Sequence, residues 1–287
     1  AAQDTGLAHA AGSLRRGAQE IGRWPEHPSI ALRLELETAI LAAIYLSNID
    51  KKLKAMHGIK YYRYVDDVLI FCDISEAKKV SDDVIRMFSG IGLKIYDPVK
   101  NPEKSSIGSI ADGFNYLGYQ FFGNRVTVRA GSVEKLKNSL VSIFTSYKYS
   151  KQKSEDFLLW RLNLRITGCV YENKSKGWLF FFAEINDEIL LHALDSYVAK
   201  LVKRFDVDVS PKKFVRAFKE LSYRKYETKY IPNFDNYSLE KMRAVLVEYF
   251  GLKVEEYQDE EIEFEFKKRI SRQVKDLQID VKDFSYS

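Results

Sequence analysis

Cysteine is scarce in this chain. The two present, Cys72 and Cys169, lie almost a hundred positions apart in apolar surroundings, which excludes a disulfide framework and a paired-cysteine metal site and leaves both as expected core residues. Long apolar runs are missing as well, since none approaches the roughly 20 residues that a membrane span requires. No leader with a basic start and an apolar centre is found, nor an internal repeat or low-complexity tract. The expectation is a globular, cytoplasmic chain with no membrane partner.

What is present is apolar content of 46%, enough to build cores in one large or two moderate domains over 287 residues. The formal charge of +5 is only mildly basic, but it is unevenly spread. Residues 131–230 hold 19 Lys and Arg against 12 Asp and Glu, whereas 231–287 hold 9 against 13. Basic charge is therefore concentrated mid-chain. Aromatic residues reach 14%, which suits either core filling or stacking on flat rings.

Along the chain the character changes several times. Residues 1–29 are rich in Ala and Gly, show no strand pattern, and read as an uncertain or non-native segment. Residues 30–54 carry Leu34, Ile40, Leu41, Ile44, Tyr45 and Ile49 at helical spacing, which predicts a helix. KYYRYVDDVLIFCD, residues 60–73, sets two runs of β-formers around a polar pair and predicts a hairpin. A second helix is expected over 75–92, with Ser75 as its cap. Short glycine-separated strands follow to about residue 130. Amphipathic helices are then expected near 132–149, 154–168, 184–205 and 210–222, and another at 238–250. The acidic run EEYQDEEIEFEFKKR reads as a solvated helix with a polar end.

The chemistry points to Asp66 and Asp67. Two adjacent carboxylates at the tip of a mostly buried hairpin repel each other and lose hydration, a cost that a divalent cation removes. An exposed Asp-Asp turn is the plainer alternative.

The surroundings of that pair carry a resemblance. Tyr64-Val65-Asp66-Asp67, preceded by Arg63 and followed by VLIF, resembles the YxDD box of reverse transcriptases. Upstream, ILAAIYLSNIDKKL (residues 40–53) resembles the palm helix of the bacterial enzymes. Downstream, IGLKIYDPVKNPEKSS resembles the segment with a lysine near the incoming nucleotide, and FNYLGYQF resembles the primer-grip hairpin. Residues 161–205 look like the helical thumb of the phage-defence-associated and abortive-infection-like branch. The resemblance implies an α+β fold: a partial polymerase palm (a ferredoxin-like antiparallel sheet with helices) over 30–130 and an α-helical thumb over 131–230; residues 231–287, outside the resemblance, are expected from their own pattern to form a C-terminal helical extension. It covers residues 37–222.

The same resemblance implies an RNA-directed DNA polymerase of the bacterial cytoplasm, acting in antiviral defence with a noncoding RNA template, dNTPs and a DNA product, alone or as a homo- or hetero-oligomer. Two Mg²⁺ ions per site would catalyse nucleotidyl transfer. Asp66 and Asp67 would be metal ligands, Lys104 would meet the pyrophosphate or remain a surface lysine, and Tyr64 would lie beneath the primer terminus. Leu117 and Gly118 would form the primer-grip turn. Arg161, Arg165, Lys174, Lys176, Lys200, Lys203 and Arg204 are the expected phosphate contacts. Trp178 and the Phe180–Phe182 run could stack on bases, though core packing is the expectation for the phenylalanines. The third aspartate and the fingers of the family are not found: Asp4 lacks a matching context, and Leu32, Arg33 and Leu34 stand where the family has a glycine-containing turn. A truncated polymerase and a non-catalytic RNA-binding scaffold both remain open, and an intron maturase is disfavoured because no zinc or endonuclease signature follows the thumb.

Overall fold

Helical periodicity, β-branched runs and glycine punctuation translate into mixed α and β structure in a computed structural model. It describes residues 7–15, 28–102, 104–151, 153–224 and 227–281, with the backbone alone over 7–15 and 28–39. The chain divides into two compact units that meet in sequence at Asn124 and Arg125.

The first unit is built on an antiparallel sheet. In chain order its elements are β1 (Leu7–Arg15), α1 (Pro28–Ala55), β2 (Ile59–Tyr64), β3 (Asp67–Asp73), α2 (Ala77–Ser89), β4 (Lys94–Ile95), β5 (Ser105–Ser109), β6 (Phe114–Tyr116) and β7 (Tyr119–Phe122). β2 pairs with β3, β3 with β1, and the far edge of β1 takes β5 along Ala8–Gly12 and β4 at Leu14 and Arg15. β1 is thus the central strand. The sequence carries no strand signal there, and the difference has a physical cause: a strand paired on both edges takes its conformation from two ladders, so the low β-propensity of Ala and Gly is overridden.

One face of the sheet is closed by helices. Val68, Ile70 and Cys72 alternate along β3 and bury against Leu46, Ile49 and Leu53 of α1 and Val80, Val84 and Phe88 of α2. Each such side chain contributes on the order of 1.5–3 kcal/mol. Over its described side chains the buried stripe of α1 is narrower than its periodicity suggests, because Ile40, Leu41, Ile44 and Tyr45 are exposed while Leu46, Ile49 and Leu53 are buried. Leu32, Arg33 and Leu34 fall within this helix, which begins at Pro28. Ser75 does not cap α2; its amide and hydroxyl both bond to Asp73 Oδ1, and Glu76 precedes the helix without a side-chain cap.

The second unit begins with β8 (Arg125–Val128) and continues through α3 (Ala130–Lys148), α4 (Glu155–Thr167), β9 (Cys169–Tyr171), β10 (Lys174–Lys176), α5 (Trp178–Phe181), α6 (Glu188–Phe205), α7 (Phe214–Arg224), α8 (Leu239–Glu248) and α9 (Asp259–Ile279). The acidic run opens α9, and this helix is not solvated all round. Ile262, Phe266, Ile270 and Val274 recur at four-residue spacing and enter one core with Leu164, Cys169, Tyr171, Phe234 and Leu246. Residues 231–281 therefore share a core with the segment around α4 instead of forming a body apart. Both cysteines are free and buried, and burial pushes the Cys169 thiol up to about 12. No helix among the described residues is long and apolar enough to cross a membrane.

Candidate metal-binding turn and basic surfaces

The register of the first hairpin sets the geometry of its tip. Tyr64 pairs with Asp67, so Val65 and Asp66 form a two-residue turn. Such turns require a positive φ at one or both positions, which glycine or asparagine normally supplies. Here Val65 supplies it at +51°. A β-branched residue in this region is strained by roughly 1–3 kcal/mol and must be held there.

The holding groups surround the turn. Arg63 Nη1 donates to the Val65 carbonyl at 2.6 Å, while its Nε and Nη2 donate to Asp50 Oδ1 and Oδ2 at 2.9 and 2.6 Å. The Tyr61 hydroxyl adds a bond to Asp50 Oδ1 at 2.7 Å. Burial by itself would raise Asp50, but the hydrogen bonds from Arg63 and Tyr61 and the charges of Arg63 and Lys54 hold it below the usual carboxylate range. Arg63, Asp50 and Tyr61 had no place among the residues expected from sequence. The arginine two positions before the turn was visible as part of the box, but its partner lies on another element.

Asp66 and Asp67 are both half-buried, and Tyr64 is exposed beside them. Register shows what else shares this end of the sheet. Gly12 of β1 lies between Val68 and Ser105, and Ser13 faces Asp67. Lys104, just before Ser105, thus comes within roughly two strand spacings of Asp67, about 10 Å between backbones. Its ammonium is exposed and sits 4.2 Å from the centre of the Tyr96 ring.

A second two-residue turn lies against the first. Leu117 and Gly118, both at positive φ (51° and 79°), join β6 to β7, and a leucine there is strained like Val65. The hairpin is tied to the first one by Tyr116, whose hydroxyl lies 3.5 Å from the Asp67 carbonyl, and by Phe114, edge-on to Phe71 of β3 at 5.5 Å. Burial, then the Asp67 charge, pushes the Tyr116 hydroxyl up to about 12.

Two carboxylates suit a magnesium ion, which keeps several waters and shares its ligands with substrate phosphates. A third acid is not supplied by the strand facing them: Leu7–Arg15 reads LAHAAGSLR. Among the described residues no group of three His, Cys, Asp or Glu side chains could enclose a metal. Asp4 lies outside the described residues.

The expected phosphate contacts of the second unit separate into two groups. Lys174, Lys200, Lys203 and Arg204 are exposed, with Lys176 and Arg161 half-buried. Lys174 follows a tight turn at Glu172 and Asn173 whose two amides both donate to Asp235 at 2.8 Å. Arg165 is a correction to the expected set. Its side chain is 7% exposed and bonds Asp280, itself 2% exposed, at 2.6 Å. The basic surplus that suggested a phosphate contact does not record which face of α4 a cation occupies, and Arg165 lies on the inward one. Trp178 and Phe182 are likewise buried, at 1% and 0%, which removes both from base stacking; Phe180 and Phe181 are partly buried.

A stronger basic surface lies where the sequence pattern suggested no site. Residues 211–230 contain seven Lys and Arg against two Glu, a surplus of 5 that equals the net charge of the whole chain. On and beside α7, Lys213, Arg216, Lys219, Arg224 and Lys229 are exposed, with Tyr223 83% exposed among them. Lys212 and Arg216 both lie over the Tyr230 ring, at 4.8 and 4.7 Å, beside an open recess of about 470 Å³. Burial, with the Arg216 charge added, holds the Lys212 amine below its ordinary range. A charge count over a 20-residue window finds this cluster from sequence alone.

Comparison with known proteins gives one family. A family model described as reverse transcriptase (RNA-dependent DNA polymerase) matches residues 38–121, less than a third of the chain, running from α1 through the Asp66–Asp67 turn to β7. No curated protein matches the chain.

Proposed function

We propose that this chain is a reverse transcriptase, an RNA-directed DNA polymerase whose catalytic turn is Val65–Asp66 with Asp67. One observation carries the reading: the segment matched by the reverse-transcriptase family model contains the β2–β3 hairpin that holds two adjacent carboxylates on a strained, pinned turn. Asp66 and Asp67 are the residues that would hold Mg²⁺, which when bound would supply charge stabilisation to the transferred phosphoryl group. Tyr64 presents its ring to the primer terminus, and the Leu117–Gly118 turn positions that terminus. Lys104 neutralises charge on the departing pyrophosphate. The exposed cations of α6, β10 and α7 follow the phosphate backbone of the RNA template and DNA product. Anti-phage defence with a noncoding RNA template, in a bacterial cytoplasm, rests on the likeness of residues 161–205 to the thumbs of that branch.

Primer extension tests this. With an RNA template, a DNA primer and dNTPs, the reading expects Mg²⁺-dependent incorporation that Asp66→Asn abolishes. Incorporation unaffected by Asp66→Asn would overturn it. A second reading, a non-catalytic RNA-binding scaffold, is favoured by the acid-free strand opposite Asp67. Tight RNA binding without incorporation selects that alternative.

A further inference from the structure

The Val65–Asp66 turn is strained, and one arginine touches it from an anchored position. The peptide plane that carries the Val65 carbonyl also carries the Asp66 amide, so fixing the direction of that oxygen fixes the plane from which Asp66 departs. Arg63 Nη1 fixes it at 2.6 Å. The guanidinium is rigid, and its other edge is held by both oxygens of Asp50 at 2.9 and 2.6 Å. Asp50 in turn belongs to the part of α1 that is locked in the core, between Ile49 and Leu53, which are 4% and 0% exposed. An unbroken line of contacts therefore runs from the core helix through Asp50 and Arg63 to the backbone of the turn.

We propose that Arg63, clamped by Asp50, is the positioning residue that holds the Val65 carbonyl and thereby aims Asp66 into the metal-holding orientation. The proposal rests on the reading of Asp66 and Asp67 as the metal-holding pair. The geometry requires an arginine: a lysine ammonium retains the charge but has no planar fork with which to engage a carboxylate along one edge and a carbonyl from the other. Tyr61, which donates to the same Asp50 oxygen at 2.7 Å, limits the freedom of the carboxylate and sits one step further from the turn.

Two measurements on the full chain decide the matter. In metal-free ¹⁵N spectra, Arg63→Lys and Asp50→Asn are expected to shift the amides of Val65, Asp66 and Asp67 and to speed exchange of the Asp66 amide at least about tenfold. The amides of Leu69–Cys72 stay in place and report that the sheet is intact. Tyr61→Phe gives a smaller shift in the same direction, and the Asp50→Asn/Arg63→Lys pair goes no further than either single change, because the two act as one unit. In a Mn²⁺ titration followed by electron paramagnetic resonance, Arg63→Lys is expected to weaken binding about 10- to 100-fold, the usual effect of removing a group that orients a ligand. Unshifted turn amides in Arg63→Lys, or a loss of Mn²⁺ affinity well short of about 10-fold, overturn the clamp. If Asp66→Asn/Asp67→Asn leaves Mn²⁺ binding intact, the metal reading is what fails, and the turn amides alone then decide the role of Arg63.

Discussion

Removing the carboxylate of Asp280 tests whether Arg165 belongs to the core or to a nucleic-acid surface. Arg165 and Asp280 are 7% and 2% exposed, and their 2.6 Å contact is supported by Ser139, whose hydroxyl donates to the other carboxylate oxygen at 2.6 Å. Asp280→Ala leaves a buried guanidinium whose remaining bond is to the Asp276 carbonyl at 2.9 Å, with Arg165 Nε already lacking a partner. Breaking a buried pair in this way costs about 3–5 kcal/mol, and the surviving carbonyl contact favours the lower end. With a urea slope of about 2 kcal/mol per M, the midpoint should fall by about 1.5 M. Replacing both charges, in Arg165→Met/Asp280→Ala, should return the midpoint to near that of the parent, because neither charge then has to be desolvated. Urea titration followed by far-UV circular dichroism reads both. If Asp280→Ala unfolds at the parental midpoint while Arg165→Met alone weakens RNA binding, Arg165 faces solvent and the reasoning is wrong.

Other expectations follow from the same geometry. Lys213→Gln/Arg216→Gln/Lys219→Gln should weaken binding of an RNA–DNA duplex and reduce the slope of log affinity against log salt by about 2–3, close to one for each phosphate no longer neutralised; an unchanged slope in filter-binding assays removes α7 from the interface. Val65→Gly should stabilise the hairpin by a few tenths to about 1 kcal/mol, since relief of the positive-φ strain outweighs the added freedom of the unfolded chain, and a lower melting temperature would contradict the strain. Gly168→Ala should destabilise by at least about 2 kcal/mol, because at φ +65° its Cβ would lie 2.3 Å from the Lys176 carbonyl and 2.9 Å from Phe180. Acid sensitivity should trace partly to Asp187. Burial would raise this carboxyl, but bonds from Thr127, Arg125 and the Leu190 amide hold it below its ordinary value. Its contribution is therefore present above its unfolded pKa near 4 and is lost as pH falls through the folded one. Asp187→Asn should flatten that part of the stability profile in melts from pH 7 to 3.

The reach of local pattern is visible in particular elements. KYYRYVDDVLIFCD could be read as a hairpin because β-branched alternation and a polar two-residue centre are properties of neighbours in sequence, whereas the Leu117–Gly118 turn was legible only through the resemblance of FNYLGYQF to a known hairpin. Helices α2 to α4 and α6 to α8 were placed within a few residues because each carries its own 3.6-residue stripe, whereas the short α5 at Trp178–Phe181 carries none and was not expected. β1 was not legible, since two flanking ladders impose its conformation and no side-chain period records them. The inward position of Arg165 was equally hidden. Arginines at 161 and 165 look alike in sequence, and what separates them is a carboxylate 115 positions away that the α9 end brings to one of them.

By itself the amino-acid sequence determined which residues are chemically able to act: two adjacent acids flanked by strand formers, an arginine beside them, and a basic window around α7. Tertiary structure alone decided how they are held. Asp50 reaches Arg63 because α1 lies on the sheet, Lys104 approaches Asp67 because β5 runs along β1, and Tyr116 meets the turn because its hairpin lies against β3. The physical reason is one of range: propensity and periodicity act over a few residues, whereas desolvation and hydrogen bonding depend on whichever distant groups the packed core delivers to the same place.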